Sequence, residues 1–352
     1  MFVLRSSSEA PRRLTLGLAL LVLVGLLATP LAAETTHRLL LTNTAASNVV
    51  AYDSHTGAFL GELIAAGTGG IDDPDSMVIG PDGMLYISSG TTLANSAVLR
   101  FDPDSGAFID VFAAGGGMLR PYGITFGPDG LLYVASFLSD ELLRYDGTTG
   151  AFVDVFATGD GLPGGLNGPN GLTFGPDGRL YITTQGSIAV DGVPTYPGLP
   201  SQVLVYELDG TSEVFATPDP SPEGFGFVSL LGIEFSPDCR NPQSVQCDVF
   251  VSDFANDIRR YDLDGNLEAT YSTNFTGTQP SLNFVGSLSF GRGGNLYSTG
   301  FVLVDPATPG AILRYKWKSN QAFPGAGEDS ATFVGETNDL VRPIGILALP
   351  RP

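Results

Sequence analysis

One hairpin-sized pattern returns along the chain, and nothing else restricts the fold as strongly. DSMVIGPDGMLYIS from Asp75, YGITFGPDGLLYVA from Tyr122 and NGLTFGPDGRLYIT from Asn170 are copies of it. A fourth copy, LGIEFSPD from Leu231, continues as DVFVSD beyond a loop holding two cysteines. VGSLSFGRGGNLYST from Val285 is a fifth, and IGILAL from Ile344 is a sixth that stops after its first half. Aligned on Ser76, Gly123, Gly171, Gly232, Gly286 and Gly345, the copies lie 47, 48, 61, 54 and 59 residues apart. Periods of this size mark repeat architectures.

Each copy alternates apolar and other residues, turns through Pro-Asp-Gly, and alternates again, as a tight β-hairpin does. A second hairpin follows, as in VLRFDPDSGAFIDVFA after Ala97, LLRYDGTTGAFVDVFA after Glu141 and IRRYDLDGNLEATY after Asp257. Every period therefore supplies four short strands, here a to d, and no convincing helical pattern intervenes. Four-stranded units at this spacing predict an all-β, six-bladed β-propeller of antiparallel blades. The stretch from Arg38 (RLLLTNTAASNVVAYDSHTGAFLGEL) reads as strands b, c and d lacking an a, and IGILAL is an a lacking partners. The two chain ends are expected to share the sixth blade, closing residues 34–352 into one domain without free sheet edges.

The repeated G-[IL]-T-F-G-P-D-G-x-L-Y-[VI] resembles NHL-repeat propellers and the wider group of gluconolactonase-like (senescence-marker-type) proteins and virginiamycin B lyase. The resemblance spans nearly all of 34–352 and implies the fold. It implies function weakly, because such scaffolds host enzymes and non-enzymes. In gluconolactonase-like enzymes, carboxylates and asparagines opening the strands a hold a divalent metal. Pro169-Asn170-Gly171-Leu172 resembles that asparagine motif, and Asp75 matches the aspartate. The resemblance thus implies a calcium site on Asp75 and Asn170. The positions opening strand a here are Asp75, Tyr122, Asn170, Leu231, Val285 and Ile344, and the apolar half departs from that family. Two ligands fall short of the ~6–8 oxygens calcium takes.

The a–b and c–d connections are tight, whereas d–a and b–c connections such as 184–201, 217–230 and 300–310 are long. In an up-and-down blade the long ones share a face, so a binding site is expected there. Tyr122, Tyr196, Phe225, Phe227 and Phe284 are its candidate aromatics, with Arg120 as a charged anchor and Asn170 as a polar contact. The residues closing strand b are Asn43, Ser89, Ser136, Thr184, Asp253 and Gly300. Asp253, the carboxylate among them, joins Asp75 and Asn170 if that ring faces the channel; otherwise these small polar residues bond neighbouring blades. Asp102–Gly106 and Asp262–Gly265 sit where c–d hairpins reverse and read as turns, lacking the spacing of a calcium loop.

Arg5, Arg12 and Arg13, the apolar run 14–28, Pro30 and Ala32-Ala33 have the three-part layout of a secretory signal peptide cleaved before Glu34. The expected product is an exported, secreted or periplasmic monomer with no membrane span. Net charge is −20, and −22 after cleavage; the only lysines are Lys316 and Lys318. That balance excludes nucleic acid as a partner. Cys239 and Cys247 suit an oxidising compartment and are expected to bridge their loop. His37 and His55 are expected to meet neither each other nor a channel acid, which disfavours histidine-dependent lyase chemistry. Two functions remain: a non-catalytic scaffold binding a protein, peptide or glycan, or a metal-dependent hydrolase of a lactone or small ester.

Overall fold

The inner strands, such as LLYVAS and NVVAYD, are apolar at nearly every position and so on both faces, and a four-stranded sheet built from them is stable only when sandwiched between two others. The computed structural model meets this demand by ring closure. It describes residues 37–222, 224–240, 247–254, 257–291, 293–302, 309–316 and 332–350, so the expected signal peptide lies outside the described residues. Blade 1 consists of Met77–Ile79, Leu85–Ser89, Ala97–Phe101 and Phe108–Ala114. Blade 2 runs Pro121–Phe126, Leu131–Ser136, Glu141–Asp146 and Phe152–Thr158. Blade 3 has Pro169–Phe174, Leu180–Thr184, Val203–Tyr206 and Ser212–Ala216. Blade 4 has Leu230–Phe235, Val249–Asp253, Asp257–Tyr261 and Leu267–Ser272. Blade 5 has Asn283–Gly291, Asn295–Val302, Pro309–Lys316 and Thr332–Val341. Blade 6 takes strand a, Pro343–Leu349, from the far end of the chain and b to d, Arg38–Asn43, Asn48–Asp53 and Phe59–Ile64, from the near end.

The core lies between blades. Tyr86 and Val98 of blade 1 pack with Ile124, Leu132 and Leu143 of blade 2. Tyr181 and Val205 of blade 3 meet Ile233, Val249 and Tyr261 of blade 4. Leu40 and Val49 of blade 6 meet Leu85, Ile87 and Phe101 of blade 1. The repeated motif explains its own residue types. In blades 1 to 3 the turn aspartate (Asp82, Asp129, Asp177) accepts the backbone N–H two residues on with Oδ1 and the strand-b tyrosine hydroxyl with Oδ2, at 2.8–3.0 Å for the latter. That bond satisfies a hydroxyl whose ring is fully buried. Blade 5 lacks the aspartate, and Tyr297 donates instead to Ser54 O of blade 6 at 2.9 Å. Blade 4 has Phe250 at that place, with no hydroxyl to satisfy.

The c–d aspartates are turn residues, as expected. Asp102 Oδ1 accepts the N–H of Asp104 and Ser105 and the Ser105 hydroxyl, and Asp146 does the same with Thr148 and Thr149. These bonds hold both carboxyls below the usual carboxylate range.

Two expectations need correction. Strand a of blade 5 is offset by one residue: Val285 pairs with Gly300 as Pro121 pairs with Ser136, and Phe290 pairs with Leu296 as Phe126 pairs with Leu132. Val285 therefore does not open the strand, which starts at Asn283, and it packs in the core between blades 4 and 5. One residue more separates Gly286 from Phe290 than Gly123 from Phe126, while the register shift early in strand a is common to both blades. Second, His37 and His55 do meet, edge to face with centroids 4.3 Å apart, because Ser54 N–H donates to His37 O and draws the c–d turn of blade 6 onto the start of its strand b.

Cys239 and Cys247 form the expected disulfide, Cα to Cα 4.5 Å. Closing so short a loop contributes about 2–3 kcal/mol by restricting the unfolded chain. Non-reduced protein should take up no alkylating reagent, and reduction should lower the denaturation midpoint by a corresponding amount. Two alkylatable thiols in native material would contradict the bridge. Among the described residues no helix is long and apolar enough to cross a membrane.

Candidate functional site

Four blades enter strand a through proline, a residue suited to a first strand position because it has no N–H to offer. The residue before each of these prolines has positive φ: Asp73 at 45°, Arg120 at 51°, Gly168 at 65° and Arg342 at 48°. Glycine takes this conformation without strain, and non-glycine residues there are uncommon. At Gly168 the left-handed φ suits glycine, and a Cβ there would also run into the Ser187 hydroxyl. The other three are charged residues held in a strained backbone. A pin from the preceding blade helps hold three of the four positions: Asp73 N–H donates to Ser47 Oγ at 3.1 Å, Arg120 N–H to Ser96 Oγ at 3.0 Å, and Gly168 N–H to Asp140 Oδ1 at 3.0 Å. Strain of this kind, kept by its surroundings, points to use of the side chains.

Those side chains surround a cavity of about 950 Å³ at the axial mouth, on the long-loop face. Asp75, Arg120, Tyr122 and Asn170 all line it, so four sequence-derived candidates converge. Blades 6, 1 and 2 make a charged side with Arg342, Asp75 and Arg120. Opposite, Leu231, Phe254, Phe284 and Ile344 pack as one apolar wall with Phe301 behind them. Phe284 stacks on Phe225 at 5.3 Å, and Phe227 and Tyr196 complete the rim. The b–c loop of blade 3 folds into a small hairpin, Ile188–Val190 with Val193–Thr195, which carries Pro194 and Tyr196 to the cavity. Buried Asp140 fixes this hairpin by accepting Ala189 N–H.

The electrostatics are uneven. Arg120 Nη2 lies 3.1 Å from Asp73 Oδ2, and its guanidinium rests over the Tyr122 ring at 5.6 Å. Tyr122 stacks in turn on Phe137 at 4.6 Å, and burial pushes its hydroxyl well above the usual range. Asp75 is 8 % exposed. Burial first, and then the Asp73 charge, push its carboxyl up to about 7, against the attraction of Arg120 and Arg342. Between the ordinary carboxylate value and about 7 the folded chain keeps a proton that the unfolded chain has released. This group's contribution to stability therefore falls as pH rises through that window. Asp75→Asn should accordingly gain in melting temperature relative to wild type as pH is raised from 4 to 8, approaching its full advantage above about 7. A difference that does not change with pH would contradict the burial of an ionisable Asp75.

Asp253 is placed elsewhere. Its Oδ1 accepts Ser229 N–H at 2.9 Å and its Oδ2 meets Arg259 Nη2 at 3.1 Å, fully buried in blade 4. The same ring position does similar work around the propeller: Ser89 Oγ bonds Asp72, Ser136 Oγ bonds Leu119, and Asn43 bonds Val341 N–H, each tying strand b to an incoming d–a loop. Some residues of the mouth escaped the sequence reading: Asp73 as a partner of Arg120, and Arg342, Phe137 and Phe254 altogether. The signal for Asp73 and Arg342 was present in the column before the prolines, in Asp73-Pro74, Arg120-Pro121, Gly168-Pro169 and Arg342-Pro343.

No protein-family model matches the sequence, and no curated protein does. Solved structures match in shape. A chain of a nidogen/laminin complex superimposes with a TM-score of 0.56 at 13 % identity, over 90 % of this chain and 99 % of that one. Virginiamycin B lyase from Staphylococcus aureus gives 0.51 at 15 % over 89 % of each chain. A protein of unknown function from Bacteroides caccae gives 0.55 at 13 % over 90 % and 100 %. The likeness is one of fold: the chain is a six-bladed β-propeller of the kind these structures share. Its function has to be argued from the site.

Proposed function

We propose that this protein is an exported binding protein whose axial cavity and long-loop rim hold a peptide, glycan or protein segment without transforming it. The leader-like segment 1–33 and the disulfide support export. One observation carries the binding reading: a large mouth cavity walled by aromatic and aliphatic side chains on one side and by charged residues in strained backbone on the other. That is the make-up of a recognition site, mostly apolar with few placed polar groups. The two histidines belong to the outer part of blade 6 and line no part of the cavity.

The resemblance to gluconolactonase-like enzymes implies a divalent metal at this mouth, and the residues fit one poorly. At the mouth stand Asp75, Tyr122, Asn170, Leu231 and Ile344, which offer one carboxylate and one amide oxygen. Arg120 and Arg342 beside Asp75 oppose a cation, and Asp253 is committed to Arg259. Among the described residues no three His, Cys, Asp or Glu are grouped to hold a metal. Added calcium should leave the melting temperature unchanged. A rise of several degrees that disappears in Asp75→Asn would reinstate the hydrolase of a lactone or small ester.

The binding reading is tested by screening the purified protein against glycan and peptide arrays and titrating the hits. Binding should weaken at least tenfold in Phe284→Ala, a central apolar truncation, and the ligand should be recovered unchanged. Hits indifferent to cavity substitutions, or a ligand converted to product, would overturn it.

A further inference from the structure

The cavity is bipolar, with Arg342, Asp75 and Arg120 on its charged side, and Asp219 of the loop leaving blade 3 also reaches the lining. Asp73 is matched by Arg120 at 3.1 Å. Arg342 makes no side-chain hydrogen bond or ion pair among the described residues, and its Nε is buried without a partner. Arg120 Nε is buried and unpartnered as well. Both arginines keep a left-handed backbone that glycine would take without strain, as Gly168 does at the equivalent place. They stand on blades 6 and 2 and flank Asp75 of blade 1. Asp75 is itself desolvated and has no side-chain hydrogen bond among the described residues, which favours its neutral, donor form. Facing them, Leu231, Phe254, Phe284 and Ile344 offer nothing polar.

Resting on the cavity being the binding site, we propose that it selects an amphipathic carboxylate, the anionic head held between Arg342 and Arg120 and an apolar or aromatic body lying along Phe254 and Phe284. A guanidinium presents a planar fork of donors that matches a carboxylate, and an unpaired one in a partly desolvated wall gains most from such a partner. The protein's overall negative charge makes this a local preference, acting within the cavity rather than by long-range attraction. The same head group can come from a free arylalkanoic acid or from the C-terminus of a peptide.

Calorimetric titration of the purified full protein tests this with paired probes: 4-phenylbutyrate against 4-phenylbutanamide, and N-acetyl-Phe-Phe as the free acid against its C-terminal amide. Each acid should bind roughly tenfold or more tightly than its neutral twin. Tighter binding in the first pair or the second then identifies a free acid or a peptide terminus as the source. Arg342→Gly is the informative variant, because it relieves the positive φ and should fold at least as well as wild type. It should lose the preference for the acid while retaining affinity for the amide, whereas Phe284→Ala should weaken both twins alike. Equal binding of acid and amide overturns the inference and leaves the cavity reading standing. Unchanged acid selectivity in Arg342→Gly overturns it too. Failure of both acids to bind also overturns it, and the array screen with Phe284→Ala then decides the cavity reading separately.

Discussion

Replacing Arg259 by methionine is expected to destabilise the protein by about 3–5 kcal/mol, the cost of breaking a buried ion pair from one side. Arg259 Nε donates to Asp257 Oδ1 at 2.8 Å and Nη2 to Asp253 Oδ2 at 3.1 Å, and all three side chains are at most 4 % exposed. Without the guanidinium, two carboxylates stay enclosed beside each other and lose the positive charge they share. Asp253 is also the group that accepts Ser229 N–H, so the d–a loop entering blade 4 loosens with it. Removing all three charges together, as Arg259→Met with Asp253→Asn and Asp257→Asn, should cost less than the single change, because the two buried negative charges go too. Equilibrium denaturation at neutral pH measures both. A loss under about 1 kcal/mol for Arg259→Met, the size expected of an exposed pair, would show that water reaches the cluster.

Deleting the last dozen residues, 341–352, should abolish cooperative unfolding. Strand Pro343–Leu349 pairs with Arg38–Asn43 from Arg38↔Leu349 to Asn43↔Pro343, and it is this pairing that closes the ring. Ile344, Ile346 and Leu347 are each at most 4 % exposed. At roughly 1.5–3 kcal/mol for each buried aliphatic side chain, their loss alone rivals the ~5–15 kcal/mol that holds a typical domain together. The Thr42 hydroxyl loses a partner as well, since it accepts Gly345 N–H at 2.7 Å while donating to Asp75 O at 2.9 Å. The bond to Asp75 O joins blade 6 to blade 1, so the damage reaches the cavity mouth. The truncated chain should also self-associate through the uncovered edge of Arg38–Asn43. A monomeric truncate with an unchanged melting curve would mean that the ring does not depend on this strand.

Much of the architecture was legible because it is written in local chemistry. Period-two alternation, Pro-Asp-Gly turns and a hairpin repeated at a fixed spacing each act over a few residues, and together they dictate four-stranded units that pack only against one another. The orphan strands at either end of the repeat series then determined blade 6, and a short loop with two cysteines determined the bridge. The long-loop face followed from counting residues between strands, and Asp75, Arg120, Tyr122 and Asn170 do line its cavity. What the tertiary structure alone decided is which side chains meet and which way they point. Arg342 reaches the mouth beside Asp73 and Asp75 only because ring closure seats blade 6 against blade 1 across nearly the whole chain. Val285 turns into the core because blade 5 has one residue more between Gly286 and Phe290 than blade 2 has between Gly123 and Phe126, and a shift of one exchanges the two faces of a strand. Asp253 is drawn from the channel by Arg259, and His37 meets His55 through a backbone bond between turn and strand. Turns and strands obey short-range rules that a sequence displays directly. Convergence at an axis depends on contacts between residues far apart in the chain, and those exist only once the ring has closed.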